Sequence, residues 1–161
     1  MTEQPDTQPE AKPRGKLGKV IFILLALAVV TMIVMKNRTL PPPKGWINND
    51  LTTALAKAEE QGRNIVILFV QTPPSKEDIR IRNTTLSKAG NIEAIAEHDL
   101  VAVMVRAGTG NRDTLFEEYG LSREDLPAMI ILSPTGRELG RHNGFIGELN
   151  FRDEFLKDAL D

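Results

Sequence analysis

The chain has 161 residues, a formal charge of −2 and no cysteine, which rules out disulfides, thiolate metal sites and thiol nucleophiles within it. The charge is unevenly placed: residues 1–44 hold seven basic and three acidic side chains, residues 45–161 hold 13 and 19, so the larger part is net −6. Such a domain lacks the basic face through which counterion release drives nucleic-acid binding, and two isolated histidines, His98 and His142, do not make a metal site.

Residues 1–18 are expected to be a disordered tail, because Thr2 to Pro13 is rich in Pro, Gln, Thr and Glu. Val20 to Met35 reads VIFILLALAVVTMIVM, with Thr31 its one polar residue and Lys19 and Lys36 at its ends. Residues 19–36 are therefore expected to form a single-pass transmembrane helix. The sixteen-residue run reaches about 24 Å, and the lysine stems extend that reach toward the headgroups of a ~30 Å hydrocarbon layer. A cleaved signal peptide fits less well, since cutting at Ala26-Leu27-Ala28 would leave VVTMIVM exposed. Lys12, Arg14, Lys16 and Lys19 precede the span and Lys36, Arg38 and Lys44 follow it, a count that favours a cytoplasmic N-terminus with the domain outside. Residues 37–45 are expected to be a Pro-rich linker in which Leu40-Pro41-Pro42-Pro43 is a stiff extended spacer.

Residues 46–161 are expected to form one α/β domain, since helical and strand patterns alternate. Asn49 or Asp50 caps a helix with apolar positions Leu51, Ala54, Leu55 and Ala58, ending before Gly62. Ile65 to Val70 is a continuous β-branched run that suits a strand buried on both faces. A second helix starts near Thr72 or Ser75, where Ser75-x-x-Asp78 approximates a capping box, and another covers Ile92 to Glu97. Leu100 to Val105 is the next buried strand, and a helix over Arg112 to Tyr119 stops at Gly120. Ala128 to Leu132 and Glu138 to His142 flank the turn Ser133-Pro134-Thr135-Gly136 as an antiparallel hairpin, and Asn150 caps a last helix with Phe151, Phe155, Leu156 and Ala159 inward.

Gln71-Thr72-Pro73-Pro74-Ser75-Lys76 follows the first core strand, and Leu126-Pro127 precedes a later one. With the opening Trp46, the Ala-rich helix, Gly62-Arg63, and Pro134-Thr135-Gly136 ahead of Gly144, these features resemble the thioredoxin-like superfamily over residues 46–160. The resemblance implies a thioredoxin-like fold, a central mixed sheet flanked by helices, here preceded by one transmembrane helix. Thr72, Pro73, Pro74 and Ser75 stand where the family carries Cys-Gly-Pro-Cys, a degenerate active-site loop. Two departures mark this chain: Thr72 lies three residues after Phe69 where the family commonly has five, and the missing sulfur removes dithiol exchange. The resemblance also implies a bacterial cytoplasmic membrane with the domain on its periplasmic side.

Thr72 and Ser75 read as helix caps rather than nucleophiles, because neither a Ser-x-Lys pairing nor a nearby histidine accompanies them, so no catalytic residue is assigned. Pro73 and Pro74 lack amide hydrogens, which weakens anion capture at the loop. Leu126 and Pro127 are the candidate peptide-binding residues, since the family leaves a backbone edge open beside its cis-proline. Gly108-Thr109-Gly110 followed by Asp113 reads as a flexible connection, not a dinucleotide fingerprint, and His98 and His142 as a helix-end partner and a surface residue. The expected function is a membrane-anchored, redox-inactive module that binds a protein or peptide, with no cofactor, metal or nucleic acid. The alternatives are an oxidoreductase relative using a partner's cysteine and a purely structural subunit of a membrane complex.

Overall fold

The computed structural model describes residues 15–36, 39–107 and 116–160. Residues 1–14 of the expected tail, Gly108-Thr109-Gly110, Asp113 and the first part of the helix expected over 112–119 lie outside them, whereas residues 15–18, expected in the tail, are helical. The chain divides into two units, Met1–Lys36 and Asn37–Asp161. In the first, α1 runs from Gly15 to Lys36 as one helix of 22 residues. Its side chains are described from Val20 to Val34 and are exposed all round. Among the described residues no helix is long and apolar enough to cross a membrane, a described run from 20 to 34 being shorter than the roughly 20 residues a span takes.

The second unit is built on a five-stranded sheet of order β1-β3-β2-β4-β5. Its strands are β1 (Ile47–Asn48), β2 (Ile65–Val70), β3 (Val101–Arg106), β4 (Ala128–Leu132) and β5 (Glu138–Asn143). β1 and β2 flank β3 in parallel, and β4 and β5 are antiparallel additions, so the sheet is mixed. β2 and β4 are buried at every residue, which explains their unbroken apolar sequence. β1 was not foreseen, because two residues carry no period.

The helices follow from caps and apolar spacing. α2 (Leu51–Gln61) starts at Asp50, whose carboxylate accepts from the Thr53 amide at 3.0 Å, and stops at Gly62 with φ 63°, a conformation glycine takes without a Cβ penalty. Asp50, not Asn49, is therefore the cap. α3 (Lys76–Arg80) begins at Ser75 with a reciprocal capping box to Asp78 and runs on through a π-helical segment, Ile81–Leu86. This corrects the Thr72 option: Thr72 does not cap the helix. α4 covers Ala89–Glu97, and His98 stands at its C-cap. Residues 116–118 are helical, and a short 3₁₀ turn covers Arg123–Asp125. The last helix, α5, joins Glu148–Asn150, a π-helical Phe151–Leu156 and Lys157–Leu160. Its N-cap is Gly147, so Asn150 already lies inside the helix and makes no capping bond.

Alternation along the strands divides the core in two. Val66, Leu68, Val70, Met104 and Ile131 meet Ile81, Leu86, Phe151 and Leu156 on one side. Ile65, Ile67, Phe69, Val103 and Ile130 meet Ala54, Ala58, Phe116 and Leu121 on the other. Gly140 lets α5 sit close to β5, since a Cβ there would stand 2.8 Å from that of Ala159.

The segment expected to be a spacer is docked on the domain. Leu40 is only 7% exposed and belongs to the first core cluster beside Trp46. Arg106 Nη2 donates to the Leu40 carbonyl at 2.9 Å, Arg82 Nε to the Pro41 carbonyl at 2.7 Å, and the Trp46 amide to the Pro43 carbonyl at 3.2 Å. Carbonyls that an extended proline segment leaves unpaired have met two arginines that reach them from distant elements.

Candidate functional site

Three loops converge at one end of the sheet: Gln71–Ser75 after β2, the turn before β4, and the segment after β5. The register pairs Phe69 with Ala128, which sets Pro127 beside the start of the first loop. Gln71 Nε2 then donates to the Arg123 carbonyl at 3.2 Å, the Gly144 amide to the Pro127 carbonyl at 2.7 Å, and Asn143 Nδ2 to Asp125 Oδ1 at 3.0 Å. Two peptide bonds at this corner are cis, Leu126–Pro127 and Thr72–Pro73, of which the family resemblance implied only the first.

The candidate residues divide by environment. Pro73 is exposed, whereas Pro74 and Ser75 are half-buried. Ser75 Oγ accepts from the Asp78 amide at 3.0 Å while the Ser75 amide donates to Asp78 Oδ2 at 2.7 Å, so this residue is occupied by the cap. Thr72 Oγ1 is buried without a hydrogen-bond partner. Among the described residues neither histidine lies at these hydroxyls: His98 is exposed at the end of α4, and His142 faces the Phe145 carbonyl and the Phe155 ring, while the carboxyl at Ser75 is that of its capping partner Asp78. Leu126 is 5% exposed and its amide makes a long 3.4 Å bond to the Arg123 carbonyl. Beside it opens a groove of about 260 Å³ lined by Ala107, Phe116, Leu121 and Arg123. Across the corner the Arg80 guanidinium sits 3.9 Å over the Phe145 ring. Among the described residues no group of acidic or histidine side chains is placed to hold a metal ion.

Sequence spacing pointed to Asp78 as half of a capping box but not to its burial. Asp78 is 0% exposed, Oδ2 takes the amides of Ser75 and Gln71, and Oδ1 has no partner. Burial pushes its carboxyl up from the ordinary value, against the lowering pull of those hydrogen bonds. A raised folded pKa means that the fold holds this proton more tightly than the unfolded chain does. The stability it contributes is complete below the ordinary carboxylate value and is lost as pH rises through the raised one. Asp78→Asn is expected to remove that slope. In urea unfolding from about pH 4 to pH 8, the free energy of the unsubstituted chain should fall relative to the variant's as pH rises, and parallel curves would refute the assignment.

No family model matches the sequence, and no curated protein matches it. Solved structures do. A thioredoxin from Thermus thermophilus superposes with a TM-score of 0.60 at 21% identity, over 70% of this chain and 86% of that one. The DsbH oxidoreductase gives 0.56 at 16% identity, over 77% and 92%. The oxidised C-terminal domain of DsbD from Neisseria meningitidis gives 0.56 at 17% identity, over 70% and 98%. At these identities the likeness is one of fold: the chain is thioredoxin-like in architecture and has no cysteine.

Proposed function

We propose that this thioredoxin-like chain is a membrane-anchored, redox-inactive binding module whose corner at Pro73, Ser75, Leu126 and Pro127 holds an extended segment of a partner protein. The observation that carries the reading is the convergence of three loops in a chain that cannot form a thiolate, with a groove lined by Ala107, Phe116, Leu121, Ser122 and Leu126 opening beside the turn before β4. An apolar side chain of the partner fits the groove beside Leu126, and its backbone pairs at Leu126 once the long bond to Arg123 yields. The anchor in this reading is α1, whose apolar run Val20 to Met35 stands between Lys19 and Lys36, side chains with stems long enough to carry its reach toward the headgroups. The domain lies on the extracytoplasmic side of a cell membrane, where membrane confinement raises its effective concentration toward partners in the same plane.

Site-specific photocrosslinking in intact membranes tests this. A crosslinkable residue at exposed Pro73 or Arg123 is expected to give discrete protein adducts, whereas the same residue at Thr135, in the turn at the opposite end of β4, is not. Equal yields at the three positions would point to the structural-subunit reading. Disulfide turnover by the purified chain without an added thiol protein would contradict the reading outright, since the chemistry needs a thiolate.

A further inference from the structure

We infer that a second surface, the groove between the β1 edge and α4, seats anionic phospholipid headgroups. The groove encloses about 270 Å³ and is lined by Lys44, Trp46, Lys57, Arg63, Ile92 and Ile95 among others. Its lining has three basic side chains and no acidic one, on a domain that carries six more acidic than basic residues. Against that background the patch is a local inversion of charge, and an anion is its complement.

The three cations differ in what they offer. The Arg63 guanidinium is committed: it pairs with Asp99 at 2.8 Å and donates to the carbonyls of Asp99 and Leu100, so it shapes the wall. Lys44 and Lys57 are exposed and make no salt bridge among the described residues. Between them lies an apolar floor of Trp46 and Ile95, with Ile92 39% exposed at the rim. Free ammonium groups over tryptophan and isoleucine match the boundary between phosphate headgroups and acyl chains, where lysine stems and indole rings both settle.

The chain itself argues for the lipid as occupant. This inference rests on the reading that α1 is a membrane anchor. Lys36, the last residue of α1, stands eight positions before Lys44 and ten before Trp46 in the chain. Lys44 and Trp46 follow within the same entry segment.

Trp46 is the single tryptophan of the chain, so its fluorescence reports on this groove alone. The full chain is reconstituted into vesicles of phosphatidylcholine, with or without an equal share of phosphatidylglycerol, whose acyl chains carry bromine near the headgroup end. Quenching of Trp46 is expected to be at least about twofold stronger with phosphatidylglycerol and to fall back at ~0.5 M salt. The double variant Lys44→Glu, Lys57→Glu should reduce it to the phosphatidylcholine level while urea unfolding is unchanged, because both lysines are exposed. Quenching that ignores lipid charge, or that survives the double variant, overturns the headgroup site while leaving the anchor in place. Release of the unsubstituted chain from vesicles by alkaline carbonate overturns the anchor, and the headgroup site with it.

Discussion

A chain begun at Lys44 is expected to unfold with about 3–5 kcal/mol less free energy than one begun at Asn37. The shorter chain loses Leu40, which is 7% exposed and packed in the core cluster with Trp46. It also takes the Leu40 carbonyl from the guanidinium of Arg106 and the Pro41 carbonyl from that of Arg82. Truncating a buried leucine costs roughly 2–5 kcal/mol, and a hydrogen bond from a charged donor roughly 1.5–3, with part of each shared because the groups are neighbours. That loss is a large fraction of the ~5–15 kcal/mol that holds a typical domain together. Urea midpoints of the two chains check it, and Leu40→Ala in the longer chain should reproduce about 2–4 kcal/mol. Identical midpoints would return Leu40–Pro43 to the role of a free spacer. Under the present reading the segment nearest α1 is a structural strap of the domain.

Phe69→Ala is expected to destabilise the domain by about 3–5 kcal/mol. Phe69 is 0% exposed near the end of β2, with its ring 5.2 Å from that of Phe116 and 5.3 Å from that of Tyr119. It joins the strand that delivers the chain to Thr72 to the helical segment that walls the groove beside Leu126. Its loss therefore removes burial, the edge-to-face contact with Phe116 and the tilted contact with Tyr119, and such aromatic pairs add about 0.5–1.5 kcal/mol each. Phe69→Leu, which keeps most of the volume, is expected to cost under about 2 kcal/mol. Equilibrium unfolding gives both figures, and a cost below about 1 kcal/mol for the alanine variant would mean that the 116–121 segment does not depend on this ring. Crosslinking at Pro73 should fall in the alanine variant while its Thr135 background stays unchanged.

The corner joins residues that are far apart in the chain and was legible only in pieces. The tight loop Thr72 to Ser75 and the dipeptide Leu126-Pro127 were each visible, because proline fixes its own φ and restricts its predecessor wherever it stands. Asn143 and Arg80 gave no signal, and Gln71 showed only as the first residue of the loop. Gln71 matters through a bond to Arg123 across 52 positions, Asn143 through a bond to Asp125 across 18, and Arg80 through the Phe145 ring. Ser75-x-x-Asp78 showed a cap by its spacing, but the burial that raises the Asp78 carboxyl belongs to what packs over it. The error at the last helix was of the same kind. Asn150 is a better capping residue than Gly147, yet the chain enters the helix at Glu148, because the Phe151 amide bonds the Gly147 carbonyl and Phe151 is wholly buried.

Within these 161 residues the absence of cysteine closes thiol chemistry by itself, and no arrangement of the chain can restore it. The short apolar runs Ile65–Val70 and Ala128–Leu132 likewise point to their own state, since their length suits strands covered on both faces. Strand order, the pairing of Phe69 with Ala128, the meeting of three loops and the seating of Leu40 under Arg106 were decided by tertiary structure alone. The physical reason is range. Caps, turns and apolar periods are written within a few residues, whereas register and burial depend on which distant surfaces complete one another's hydrogen bonds and exclude water together.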